Sequence, residues 1–145
     1  MHFSTAQQPT ARPDHRRKAP SRQPTAFIDE FGAAALKVPL DNHGLNHAIV
    51  HPHAYQWVLD SGLIGAWLLN ANGRGRRYVR SWTPGSNGTL TLIARVIMDA
   101  GPGEIIRYVN GDSLDLRIMN LRSMRGRATR RDSCLASMGG TALAV

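Results

Sequence analysis

The sequence predicts an α+β domain, and three observations carry that expectation. Strand-like runs between Gly65 and Ile93 are punctuated by Asn72-Gly73 and by the turn Pro84–Gly88 (PGSNG), the pattern of an antiparallel meander. Short helical segments, His53–Asp60 and Ala94–Met98, flank that meander. An apolar content of 42% in 145 residues suffices for one modest core. The architecture expected is a small antiparallel three-stranded sheet followed by a further short strand and a basic final helix.

Residues 1–25 are rich in Pro, Gln, Ser, Thr and Arg and offer almost nothing to bury, so they read as a disordered basic arm. Without an apolar stretch this arm is not a secretory signal. Residues 26–46 read as a short helix and linker, with Ala26–Lys37 as the helix and Gly32 as its weak point. From His47 to His51 the chain alternates like a strand, and His53–Asp60 would give one or two helical turns closed by Gly62. Gly65–Asn70, Arg76–Trp82 and Thr89–Ile93 are the three meander strands, and Ala94–Met98 is a short helix. Gly101-Pro102-Gly103 breaks the chain before a strand at Glu104–Val109. After the Asn110-Gly111 turn, Ile118–Leu121 would begin a basic final helix. Residues 47–132 thus form the expected folded domain, and residues 133–145 a flexible C-terminal tail.

Charge narrows the function. The formal net charge is +8, and 16 of the 18 basic residues are arginine. The arginine fork matches phosphates and guanine edges, so this excess favours nucleic acid. Residues 1–25 carry +4, residues 26–73 carry −3 and residues 74–145 carry +7, which places the basic field on the arm and the second half. The lone Cys134 excludes an internal disulfide framework and a cysteine-only zinc site, and a reduced, cytoplasmic setting follows by default. No apolar run approaches the ~18–20 residues of a membrane span, so no membrane partner is expected.

Between Thr89 and Met124 a set of short motifs falls in a fixed order. Val109-Asn110-Gly111-Asp112 forms a turn, Leu114-Asp115 and Arg117 a following segment, and Asn120-Leu121-Arg122 a last element. Upstream, Val50, Tyr55, Trp57, Trp67, Leu69, Asn70, Gly75 and Tyr78 precede them in that order. This order resembles HNH endonucleases of the phage and intron type, whose His-Me finger is a ββα unit. The resemblance covers about residues 47–125. It implies a ββα unit here, binding to double-stranded DNA, and a bacterial cytoplasm as the setting.

The chemistry that the resemblance implies is another matter. Ala94 stands at the family's first histidine, and Arg107 and Tyr108 stand at the metal-binding acid and the catalytic histidine. Asn120 stands at the orienting asparagine, and Thr129 at the second metal ligand. A general base near neutral pH suits imidazole, whose pKa is about 6.5, whereas a phenol near ~10 stays protonated. Arg107 is a permanent cation that repels a metal ion. The expectation is therefore a DNA-binding protein with a degenerate, inactive site and no cofactor. Arg107 could instead hold a phosphate.

The arginines expected on DNA are Arg74, Arg76, Arg77 and Arg80 of the hairpin, Arg95 and Arg107, and Arg122, Arg125, Arg127, Arg130 and Arg131 after Asn120. On the expected strand Arg76 and Arg80 share a face and Arg77 takes the other. On the expected helix Arg122 and Arg125 share a face. His43, His47, His51 and His53, with Asp41, fit no zinc template, because Pro52 divides them and no cysteine joins them. Two alternatives stay open. One is an active endonuclease or nickase using Mg2+, Mn2+ or Zn2+ with Asp112, Asp115 or a nearby histidine in displaced roles. The other is a phage accessory protein that binds RNA or a host protein.

Overall fold

Asp29 and Gly32 turn the first segment into a hairpin. In the computed structural model, which describes residues 22–126, Asp29 Oδ1 accepts hydrogen bonds from Phe31 N and Ala33 N at 2.9 and 2.8 Å. Gly32 sits at φ +76°, a left-handed conformation that L side chains adopt only with strain. The flanking residues therefore extend as β1 (Thr25–Ile28) and β2 (Ala34–Pro39), paired antiparallel, and β3 (His47–Val50) adds to the other edge of β2. The helix expected over Ala26–Lys37 is thus corrected to two strands. A local carboxylate–amide turn outweighs the helical propensity of the alanines. Thr25 belongs to β1, and Arg22 donates to Asn42 Oδ1 at 2.7 Å and to the Trp67 carbonyl at 3.0 Å. The folded chain therefore begins before the arm boundary set at residue 25.

The middle of the chain follows its turn residues. α1 (Pro52–Asp60) starts on a proline, whose missing N–H is one of the unused donors of a first turn. It buries Ala54 and Val58, and Trp57 Nε1 donates to the Val96 carbonyl at 2.9 Å. β4 (Leu68–Ala71), β5 (Arg77–Trp82) and β6 (Leu90–Leu92) form an antiparallel sheet in that order, and β6 runs directly into α2 (Ile93–Ile97). These are the expected meander and short helices, with ends that shift by at most three residues.

The last third departs from expectation after Asn120. β7 (Glu104–Tyr108) is followed by a loop, a single 3-10 turn over Ile118–Asn120, and β8 (Leu121–Arg125), which pairs antiparallel with β7. The basic helix expected from Ile118 is replaced by this strand. The β7 ladder accepts five residues in register, from Tyr108↔Leu121 to Glu104↔Arg125, and Leu121 reaches the core from the first position.

One hydrophobic cluster joins the three sheets and both helices, with Val50, Val58, Leu63, Val79, Ile93 and Leu116 at its centre. Each such side chain contributes about 1.5–3 kcal/mol on burial. The loop after β7 is held against the first sheet. Ile49 N donates to the Leu114 carbonyl at 2.9 Å, and Leu116 N to the Ile49 carbonyl at 2.8 Å. The architecture is α+β, with small antiparallel sheets and few helices. Among the described residues no helix is long and apolar enough to cross a membrane.

Candidate nucleic-acid interface

The loop between β7 and β8 is shaped by Asn120. Its side chain is buried, its Oδ1 accepts from Asn110 N at 2.8 Å, and its Nδ2 donates to the Asp115 carbonyl at 2.9 Å. The backbone adds a bond from Val109 N to the Asn120 carbonyl at 2.8 Å. Gly111, at φ +77°, makes the reversal, and Asn110 Oδ1 accepts from Asp112 N at 2.8 Å. Asn120 is a clamp on the loop. Its carbonyl oxygen holds the Asn110 backbone N–H.

Arg117 fixes the same loop from the other side. Its guanidinium grips Asp115 through Nε at 2.9 Å and Nη2 at 2.8 Å, and reaches Asp29 at 3.3 Å and Glu30 at 2.8 Å. The buried Asp115 also accepts from Asn110 Nδ2 at 3.1 Å. Burial pushes the Asp115 carboxyl up, but the bonds from Arg117 and Asn110 outweigh it and leave the group below the usual carboxylate value. The amide of Ala33 leads in holding Asp29 low, and Arg117 leads in holding Glu30 low. Arg117 itself is raised, first by Asp115 and then by Glu30. No local sequence feature indicates this box, because Asp29 and Arg117 are 88 residues apart.

The loop forms one wall of an open groove of about 450 Å³. Gly75, Arg76, Arg77 and Tyr78 line it from the β4–β5 hairpin, and Ile106, Arg107, Tyr108 and Gly111–Leu114 line it from β7 and the loop. Tyr78 and Tyr108 meet with ring centroids 6.3 Å apart. Ser113 Oγ donates to the Arg77 carbonyl and joins the two walls. Tyr108 is half-buried and packs on the core. The one carboxylate among the described residues lining the groove, Asp112, has Oδ1 engaged by Leu114 N at 2.9 Å.

Arg107 and Arg122 are Cα partners across the β7–β8 ladder, so the two cations project side by side from one face. Both are exposed, and neither forms an ion pair with a described residue. Like charges directly opposed in a sheet destabilise it by roughly 0.2–1 kcal/mol, and nothing in the described residues offsets this. Arg125 stands opposite Glu104 on the other face. The expectation that Arg122 and Arg125 share a face is therefore corrected, since positions three apart on a strand point to opposite sides.

The remaining expected contacts divide by burial. Arg74, Arg76 and Arg77 are exposed at the β4–β5 turn, where Asn72 Oδ1 accepts from the amides of Arg74 and Arg76. Arg80 is half-buried, with its guanidinium 5.9 Å from the Tyr78 ring centre. Arg95 is 5% exposed, and its guanidinium donates to the carbonyls of Glu104 and Gly101, which tie the chain after α2 to β7. As an expected DNA contact Arg95 is corrected to a structural residue: it is drawn inside by the carbonyls of Ala100, Gly101 and Glu104. Arg127, Thr129, Arg130 and Arg131 lie outside the described residues.

These side chains do not fit the divalent cation of an HNH site. Arg107, at the position that the resemblance would give to a ligand, is a permanent cation, and Asp115 is paired with Arg117. Among the described residues no three His, Cys, Asp or Glu side chains are grouped to hold a metal. Asp41 is engaged by Asn46 Nδ2 and by the amides of His43, Leu45 and Asn46, which hold its carboxyl down at about 2. His51 and His53 stack with centroids 5.9 Å apart, and His51 Nδ1 lies 3.2 Å from the Ala34 carbonyl. No family model, curated protein or solved structure matches this chain.

Proposed function

We infer that this protein binds double-stranded DNA through the β7–β8 pair and the adjoining β4–β5 turn, on an HNH-like frame that no longer cuts. The observation that carries this is the opposed pair Arg107 and Arg122, beside a groove lined by Arg76 and Arg77, without acidic partners among the described residues. Such a cluster is stabilised by the acceptors of DNA, phosphate oxygens and guanine edges, which offset the repulsion and take its hydrogen bonds. β7, the turn at Asn110-Gly111, the clamp at Asn120 and β8 supply the two strands and the connecting loop of that frame. The described residues end at Gly126, one position after β8.

The reading of inactivity rests on residue chemistry. Tyr108 is a phenol where a base is needed, and its ring belongs to the core. Asn120 holds a backbone amide instead of a base.

A gel-shift series on duplex DNA from low to moderate salt tests the binding. The wild-type protein should lose affinity linearly on a log–log plot, because each neutralised phosphate releases counterions. Arg76→Ala with Arg77→Ala should lower that slope by about two, roughly one for each phosphate contact removed. Affinity indifferent to salt overturns the reading. Nicking of supercoiled plasmid with Mg2+, Mn2+ or Zn2+, abolished by EDTA, overturns the inactivity.

A further inference from the structure

Among the described residues β7 and β8 make a two-stranded sheet, and its two faces differ. Tyr108 and Leu121 turn to the core, and the opposite face carries Arg107 beside Arg122 and then Ile105 beside Met124. Ile105 folds over Gly126, where an added Cβ would come within 2.7 Å of it. That leaves two guanidiniums and Met124, 52% exposed, on the open part of the ribbon. The major groove of B-DNA, about 12 Å wide, admits a two-stranded ribbon of this kind. Within it a guanidinium matches guanine O6 and N7 bidentately, and an apolar side chain matches the thymine methyl. A ribbon that held phosphates alone would gain nothing from an exposed methionine in its basic face.

Resting on the DNA-binding reading above, we propose that the β7–β8 ribbon reads bases in the major groove, with Arg107 and Arg122 on guanines and Met124 against an apolar base edge. Cross-strand partners lie about 4.5–5.5 Å apart at Cα, between one and two base-pair rises of about 3.4 Å. The two guanines should therefore fall within one or two steps of each other.

Selection of bound sites from a random duplex pool, with the full chain and with R107K/R122K, tests this. Lysine keeps the charge and the exposed position but lacks the fork. The wild type should enrich a motif with two neighbouring guanines and lose about tenfold affinity or more when one is replaced by 7-deazaguanine. R107K/R122K should bind unselected DNA within about twofold of wild type and show no motif, with an unchanged melting curve. Methylation of guanine N7 should block binding, and methylation of adenine N3, on the minor-groove side, should not. Binding without guanine enrichment, interference only at adenine N3, or a motif retained by R107K/R122K overturns this inference and leaves the DNA-binding reading standing. Absence of duplex binding, including binding to RNA alone, overturns both.

Discussion

Arg107 and Arg117 flank the same loop and carry the same side chain, yet their surroundings are opposite. Arg117 is buried among Asp115, Asp29 and Glu30 and is linked to all three. Arg107 is exposed beside a second arginine and lacks an acidic partner among the described residues. The difference shows how one residue type does two jobs in a basic protein. A guanidinium inside a ring of carboxylates holds elements together and is lost to any ligand. One facing its own kind is unsatisfied until an anion arrives. Net charge counts the two alike, so the +8 overstates the field available to a partner by whatever is locked inside.

The sharpest way to break that contrast is to remove the buried member. Arg117→Ala leaves the buried Asp115 carboxylate with Asn110 Nδ2 and one backbone N–H but no cation, and cuts the link between the β1–β2 turn and the β7–β8 loop. The expected loss is about 3 kcal/mol, near the low end for a broken buried pair because Glu30 is 58% exposed. Urea denaturation at neutral pH measures it. Acid gives a second, sign-specific readout. In the wild type Asp29, Glu30 and Asp115 titrate below their unfolded values, so their stabilisation is present above those values and is lost as pH falls through the lower folded ones. In the variant burial dominates at Asp115 and raises it, so protonation relieves the defect. The gap between the two proteins should narrow from pH 7 to pH 3; a constant gap would mean that Arg117 contributes packing and not charge.

Asn120 is the next test, since it ties the loop that both arginines border. Asn120→Ala removes the acceptor for Asn110 N and the donor to the Asp115 carbonyl inside the core. About 2 kcal/mol of stability should be lost, the range for buried partners left unsatisfied. A change below about 0.5 kcal/mol would show that water replaces the side chain and that the loop is not held as described.

Much of this was readable in the sequence, and the failures have physical causes. The β4–β5–β6 meander and the short helices follow from local turn chemistry, Asn72-Gly73 and Pro84–Gly88, which acts within a few residues. Ala26–Lys37 was misread because its alanines favour a helix while Asp29, through two amide bonds, closes a turn that propensity does not count. The segment after Asn120 was misread because its arginines suit either a helix or a strand, and only the β7 ladder decides between them. That choice also moved Arg125 away from Arg122. Arg95 looked available by charge alone, and its burial depends on carbonyls brought together by the chain after α2. The exposed pair was likewise invisible, because Arg107 and Arg122 become neighbours only through register.

The smallest effect sharpens the comparison from the exposed side. If Arg107 and Arg122 repel each other across the ladder, replacing one with a neutral side chain of similar length should stabilise the folded protein. Arg122→Gln keeps most of the aliphatic stem and removes one charge, and it should raise stability by roughly 0.2–1 kcal/mol at low salt. The gain should shrink toward zero as ionic strength approaches 1 M, where the screening length falls to about 3 Å. Thermal denaturation at two salt concentrations measures both. A mutation that stabilises the fold and at the same time weakens DNA binding separates the two roles in one protein, since stability alone gives no reason to keep arginine at position 122. Destabilisation at low salt would instead place Arg122 with Arg117 as a residue the fold requires.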